Sequence, residues 1–511
     1  MLERSSGILL PISSLPSKYG IGTLGREAYN FIDFLQSSGQ KYWQILPIGP
    51  TSYGDSPYSS FSSYAGNPYF IDLEVLIREG LLKYEDVKFL DTNDEYVDYE
   101  KQFNLRYKIL YKAYLNSKDK YQEEINNFKL KNHWVLDYSF FMALKYHFNQ
   151  LPWHKWDGCI KNRYEKAIEN YKTLLCNEIE FWVFLQYLFY EQYSKLKSYA
   201  NNKNVLIIGD LPIYVAEDSV EAWTERNMFI IDDENKISSV AGVPPDVFSD
   251  EGQLWGNPVY NWGYHKKNSF DWWIKRLKWN LSLYDLVRID HFRGFDEFWA
   301  VKAGSKNAME GKWLQAKGKE LFDYALDEIG SLNIIAEDLG VIKNSVIELK
   351  ERYNFPGMKI LQFAFDGNLQ NPYLPQNYEE NSVAYTGTHD NDTLLGWWQK
   401  LSLDAKDYVL ESMNIKGFEN YEKSKEQEEE SRADCKMVYE LIEKLLEGKS
   451  KLTIVPLQDY LCLDSKARIN TPSTLGGNWM WRAKKNQLTT ELIQKIRQIT
   501  INSKRSIGDG S

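Results

Sequence analysis

Eight short apolar runs, each closed by polar residues or by Gly and Pro, recur along the chain and limit what it can fold into. They are GILLPI (7–12), YWQILPI (42–48), NVLIIGD (204–210), LVRID (286–290), NIIAED (333–338), MKILQFAF (358–365), SVAYTGTHD (382–390) and LTIVPLQ (452–458). Runs of this length, apolar on both faces, suit strands covered on two sides, as in a parallel sheet. Helical spacing lies between several of them. Ala28, Phe31, Ile32 and Leu35 fall at i, i+3, i+4 and i+7, with Gly39 as a stop. Val438, Leu441, Ile442 and Leu445 repeat that spacing ahead of Gly448. Strands alternating with helices, eight times over, predict an α/β fold of the (β/α)8 TIM-barrel type.

A bare barrel takes about 250 residues, and this chain has 511. The excess is expected as insertions into a single catalytic barrel spanning 1–511. One lies at about 52–203 and is mostly helical. Another, at about 213–282, is dense in Pro, Gly and Trp and forms cleft loops. A third, at about 395–450, is helical and acidic. The first two follow strand C-termini, the face on which barrel enzymes build their sites. The acidic EQEEE stretch (426–430) reads as a solvated helix face.

Charge narrows the partners. With a net charge of −10 and a pI near 5.4, the surface repels phosphate backbones, so nucleic acid and other polyanions are not expected to bind. A neutral ligand carries no such penalty. Cys159, Cys176, Cys435 and Cys462 form no CxxC pair, which leaves buried free thiols as the expectation. The N-terminal apolar stretch is broken by Pro11 and does not read as a signal peptide. No apolar run reaches the ~18 residues of a membrane span. A cytoplasmic protein without membrane partners is expected. The aromatic content, 15% with 17 Trp and 35 Tyr, exceeds what a core asks for in several Gly- and Pro-rich loops. Flat rings suit the apolar faces of sugars.

Candidate chemistry sits at the strand ends. Asp210, Asp290, Glu337 and Asp390 fall at or near the C-termini of the third, fourth, fifth and seventh runs. Carboxylates gathered in one mouth repel one another, so stability gives no reason to assemble them. Metal chemistry of the enolase type is one reading. It would need a Lys or His base, and the second and sixth strands end in PIGP and FAFDG, leaving only His389. Glycoside cleavage is the other. A retaining mechanism needs an ionised nucleophile and a protonated acid. Arg288 lies two residues before Asp290, on the same strand face, and favours its ionised form. Glu337 follows Ile334, Ile335 and Ala336, so desolvation favours its protonated form. His291 projects from the opposite strand face and is left outside the site. Gly20, Gly22 and Gly25 spell GxGxxG, but Pro11 and Pro16 separate them from the strand, so they are not read as a nucleotide loop.

LVRIDHFRGF (286–295), IIAEDLG (334–340) and YTGTHDND (385–392) resemble the signature segments of the amylomaltases, the 4-α-glucanotransferases of glycoside hydrolase family 77 related to the α-amylases. Further similar segments run along the chain, among them SSGILLPISSLPSKYGIGTLG (5–25), PYSSFSSYAGNPYFIDL (57–73), VAGVPPDVFSDEGQLWGNPVYNW (240–262) and NTPSTLGGNWMWR (470–482). The resemblance implies Asp290 as nucleophile, Glu337 as acid/base and Asp390 as transition-state stabiliser. It further implies Tyr58, Asp210, Arg288 and His389 around the donor sugar, with Asp246, Asp366 and Asn470 as added contacts. Gln253 and Trp255 would lie on a loop over the cleft. Tyr53, Tyr58, Phe61, Phe248, Trp255 and Trp262 are expected to help cover it. The substrates implied are α-1,4-glucans such as maltooligosaccharides, starch and glycogen, with glucose as an acceptor; no cofactor or metal is implied. An α-glucan hydrolase with the same residues and a wetter site is the alternative, and a non-catalytic glycan-binding barrel is a third reading.

Overall fold

The computed structural model describes residues 2–52, 54–91, 95–117, 120–232, 234, 236–245, 250–416, 427–474 and 476–505. Twelve strands occur among them: β1 (Ser5–Leu9), β2 (Tyr42–Gln44), β3 (Leu206–Leu211), β4 (Ser239–Val243), β5 (Gln253–Pro258), β6 (Leu286–Ile289), β7 (Glu297–Lys302), β8 (Gly311–Gln315), β9 (Ile334–Ala336), β10 (Gly357–Ile360), β11 (Ser382–Tyr385) and β12 (Leu452–Pro456). Eight of them close a parallel barrel in the order β1-β12-β11-β10-β9-β6-β3-β2. These are the eight apolar runs of the sequence, each shorter than its run. The seventh stops at Tyr385, so His389 and Asp390 stand on the loop beyond it rather than in the strand.

Side-chain alternation explains the two-sided burial. One set of residues, including Leu9, Tyr42, Ile208, Leu286, Ile335, Met358, Val383 and Ile454, packs as one buried cluster inside the barrel. The intervening set faces the helices. Gly209 on β3 shows why one outward position must be small: a Cβ there would stand 2.2 Å from the ring of Tyr284. That close approach fixes the helix Asp271–Leu283 and its exit against the barrel wall, and it sets Asp210, the next residue, toward the mouth. The helix Arg26–Ser37 buries Ala28, Phe31, Ile32 and Leu35, as the spacing predicts. Val438, Leu441, Ile442 and Leu445 are buried in the same way on the helix Gln427–Glu447.

The long stretch after β2 is helical, and its last helix, Cys176–Asn202, leads back into β3. Tyr199 on that helix donates to Asp33 on the helix Arg26–Ser37 at 2.8 Å, so this helix belongs to the barrel's outer layer. A second sheet, antiparallel in the order β5-β4-β7-β8, stands beside the barrel. The sequence predicts loops at 253–258 and marks no element at 297–315, where β5, β7 and β8 stand. β8 is largely exposed and polar, so neither period nor apolar content marks it. The GxGxxG segment is held by packing: a Cβ on Gly22 would lie 1.8 Å from the Ile12 carbonyl, and one on Gly25 would meet the Asp72 carboxylate.

The thiol expectation fails. Cys435 and Cys462 form a disulfide, and Cys159 and Cys176 are exposed. The first pair is 27 residues apart in sequence but the folded helix Gln427–Glu447 brings the two Cα atoms to 5.7 Å, within disulfide reach. The acidic run enters that helix, and its side chains lie outside the described residues. Among the described residues no helix is long and apolar enough to cross a membrane.

Candidate active site

Three neighbouring strands, β3, β6 and β9, form one arc of the barrel mouth. Their register sets Asp210 beside Arg288 and Ile289 beside Ala336. The next residues on β6 and β9 are Asp290 and Glu337, so the two carboxyls leave adjacent strand ends at the same height. Arg288 joins the arc. Its Nη1 donates to both oxygens of Asp210 at 2.7 and 2.8 Å, and its Nη2 donates to Asp290 Oδ1 at 3.0 Å. Burial alone would lower the pKa of Arg288. The carboxylates of Asp210 and Asp290 more than offset it, so the guanidinium pKa stands well above its ordinary value. Burial pushes the Asp210 carboxyl up against the pull of Arg288. The Asp290 side chain is 32% exposed, which leaves it open to the cleft while Asp210 is sealed behind it.

Glu337 has a different environment. Its N–H donates to the Ile289 carbonyl at 3.1 Å, and its carbonyl accepts from Phe292 N–H at 3.1 Å. Its Oε2 accepts from the backbone N–H of His291 at 2.6 Å. Burial pushes its carboxyl up to about 8; Arg288 opposes this and Asp290 adds to it. Strand alternation would turn His291 away from the site, but β6 ends at Ile289 and His291 adopts a left-handed conformation, φ 49°.

Asp390 comes from the far side of the mouth. Its Oδ1 accepts from Asn470 Nδ2 at 2.7 Å and its Oδ2 lies 3.4 Å from His389 Nε2. Arg468 Nη2 donates to the Asp390 carbonyl at 2.6 Å, and Asn470 N–H donates to the His389 carbonyl at 3.1 Å. Asp459 braces the whole loop: its carboxylate accepts from Thr386 Oγ1 at 2.5 Å at one end and from Leu394 N–H at 2.7 Å at the other. Tyr58, on the loop after β2, links the two sides. Its hydroxyl donates to Asp210 Oδ2 at 2.7 Å and its ring stacks on His389 at 5.1 Å. Trp479 adds a third ring, 5.8 Å from both. The sequence reading missed Arg468, Asp459 and Trp479. Arg468 acts on backbone carbonyls and Asp459 on a hydroxyl and a backbone N–H, neither of which a motif reveals, and Trp479 lies inside the 470–482 segment.

Gln253 and Trp255 lie on β5 rather than on a loop. Trp255 is 37% exposed and meets the ring of His291 edge-on at 4.8 Å, above the Glu337 side of the mouth. Its Nε1 donates to Gln253 Oε1 at 3.3 Å. Asp366 is not drawn into the cluster; it is exposed, and its Oδ1 accepts from Asn368 N–H at 3.0 Å in its own turn. Asp246, Tyr53 and Phe248 lie outside the described residues. Trp262 does not cover the cleft: it is buried and stacks on Trp273 at 6.0 Å. Phe61 is half-buried, its ring 6.4 Å from that of Phe141. Among the described residues no group of three or more His, Cys, Asp or Glu side chains could hold a metal ion.

An eight-stranded parallel barrel with an ion-paired aspartate and a proton-holding glutamate on neighbouring strand ends defines a barrel enzyme of the glycoside-cleaving class. The comparisons name the family: the model of glycoside hydrolase family 77, 4-alpha-glucanotransferase, matches residues 10–489, and the chain belongs to that family. The 4-alpha-glucanotransferase of Clostridium butyricum is 49% identical over 96% of this chain and 98% of that relative. The one from Thermus thermophilus is 42% identical over 99% of both. An amylomaltase from Streptococcus agalactiae, solved in complex with acarbose, matches with a TM-score of 0.93 at 41% identity, over 99% of this chain and all of that one. The protein is a 4-α-glucanotransferase of amylomaltase type.

Proposed function

We propose that the glucanotransferase reaction runs by double displacement on Asp290, Glu337 and Asp390. Glu337 gives its proton to the bridging oxygen of an α-1,4 bond while Asp290 attacks the anomeric carbon. The shortened glucan leaves and a glucosyl ester on Asp290 remains. The 4-hydroxyl of a second glucan, or of glucose, then attacks the ester as Glu337 takes its proton, and configuration is retained. The unequal setting of the two carboxyls carries this assignment. Arg288 holds a positive charge against Asp290, whereas burial keeps a proton on Glu337 up to about pH 8. Asp390, steered by Asn470 and His389, would bond sugar hydroxyls as the ring distorts. Tyr58, Asp210, Arg288 and His389 would enclose the donor sugar, with Trp255 and Gln253 on the acceptor side. Asp246 and Asp366 are further candidate contacts on the glucan.

The substrates proposed are maltooligosaccharides, starch and glycogen; the acarbose complex of the Streptococcus relative supports an oligosaccharide in this cleft. Incubation with maltotriose should yield glucose together with longer maltooligosaccharides, and only shorter sugars would oppose transfer. Asp290→Asn should abolish turnover with the fold intact, and full activity in that variant would sink the assignment. A cytoplasmic location belongs to the same proposal, tested by fractionating cells and following the activity.

A further inference from the structure

We infer that His291 is a positioning residue for the acid/base step, acting through its backbone N–H and left-handed conformation rather than through its ring. The inference rests on the reading of Glu337 as acid/base. Three hydrogen bonds from the end of β6 converge on that one residue. The Ile289 carbonyl holds its N–H, Phe292 N–H holds its carbonyl, and His291 N–H holds its Oε2. The turn at φ 49° makes the last two possible together, because it aims two successive N–H groups at residue 337; Gly294 N–H closes the turn on the His291 carbonyl at 2.9 Å.

An amide N–H only donates, so Oε2 must accept in both protonation states. The exchangeable proton is thereby assigned to Oε1, and the carboxyl cannot rotate to offer the other oxygen. A group that gives a proton in one half-reaction and takes one back in the next needs that constancy. The ring has a separate place, edge-on to Trp255, and burial pushes it down to about 4, so it is neutral when the enzyme works. The other charged or titratable groups facing Glu337 are Arg288 on β6, Asp290 just past its end, Asp338 beside it and Tyr373 on the loop after β10.

Left-handed backbone separates the two roles experimentally. Asn and Gly adopt it readily, and histidine is tolerated; a β-branched residue resists it. His291→Gly and His291→Asn should therefore keep the alkaline limb of the kcat/KM profile where the wild type has it. His291→Val and the milder His291→Ala should move that limb to higher pH, because a lost amide donor raises a carboxyl pKa, and His291→Val should lose roughly tenfold or more in kcat/KM with a maltooligosaccharide donor. With a glucosyl donor whose leaving group needs no proton, such as a maltosyl fluoride, the first-turnover burst of fluoride from His291→Val should match the wild type, which a merely misfolded variant would not do. A limb unmoved in His291→Ala and His291→Val, or moved equally in His291→Gly, overturns the inference. Glu337→Gln tests the parent reading apart from this one: it should abolish turnover of the maltooligosaccharide donor, spare the first-turnover burst of fluoride and slow the steady release that follows, because the second half-reaction still needs a base.

Discussion

Replacing Glu337 by Gln should make the folded protein more stable in alkali while destroying its turnover. The carboxyl titrates near 8 in the fold against an ordinary 4.5. At about 1.4 kcal/mol per pH unit, that displacement corresponds to roughly 5 kcal/mol. The sign follows from proton counts. Below pH 4.5 both folded and unfolded chains hold the proton, and the group costs nothing. Between 4.5 and about 8 only the folded chain holds it, so stability falls as pH rises; above about 8 the full cost is present. Gln carries no charge and keeps an oxygen for the His291 N–H. The ceiling of about 5 kcal/mol shrinks because the mouth admits water, and a gain of about 2 kcal/mol at pH 9 is expected, fading to near zero at pH 4.5. Denaturant unfolding of both proteins at a series of pH values measures it. A difference between the two that does not change with pH, or one that favours the wild type at pH 9, refutes the claim that burial, with Asp290 adding to it, keeps Glu337 protonated.

Tyr58→Phe removes a hydrogen bond onto a buried carboxylate, and denaturant unfolding should show a loss of about 1.5–3 kcal/mol. Arg505 is buried and donates to the carbonyls of Ser5 and Lys451 at 3.0 and 3.1 Å and of Leu446 at 2.6 Å, where β1 meets β12. Arg505→Ala should cost at least about 3 kcal/mol in denaturant unfolding while leaving kcat at low temperature unchanged. Reduction of the Cys435–Cys462 bridge, or Cys435→Ser, frees a loop of 27 residues and should lower stability by about 3–4 kcal/mol on the chain-entropy account, read as a lower melting temperature in reductant with room-temperature activity retained.

The barrel was legible because its strands are apolar on both faces and the helix stripes between them keep a 3.6-residue period. Ala28, Phe31, Ile32 and Leu35 have no other way to be buried together. Asp290 and Glu337 were legible for a related reason: a charged residue directly after an apolar run must sit at the strand's open end. The antiparallel sheet was not, because β8 has little apolar content and its partner β7 pairs with β4 about 60 residues earlier in the chain. His291 was not legible, because the period-2 alternation stops with β6 at Ile289 and nothing in the sequence marks that end. The disulfide escaped for want of any local signal, since only the folded helix brings residues 435 and 462 together. Arg468 bonds main-chain carbonyls, and Asp459 bonds the Thr386 hydroxyl and the Leu394 N–H; sequence spacing is blind to both sets.

The strand order also accounts for the division of labour in the mouth. β3, β6 and β9 are contiguous, so Asp210, Arg288, Asp290 and Glu337 form an unbroken row in which one guanidinium faces two carboxylates. Such a row can hold one anion firmly and leave the next carboxyl raised by burial, because the Arg288 donors go to Asp210 and Asp290 while the Glu337 carboxyl is met by the His291 amide. A third carboxylate on the same arc would have to share the same cation and would raise its neighbours further. Asp390 avoids this by arriving from β11, with β10 between it and β9 on one side and β12, β1 and β2 between it and β3 on the other. Its partners are the neutral Asn470 amide and the His389 ring, and Tyr58 is the only described side chain that bonds or stacks with both sides. Transition-state charge at the anomeric carbon would then meet two anions from opposite walls without either anion depending on the other's counter-ion. That separation predicts that Asp390→Asn, unlike Arg288→Leu, will leave the alkaline limb set by Glu337 in place while kcat collapses; a limb that moves in Asp390→Asn would show the two walls to be electrically one.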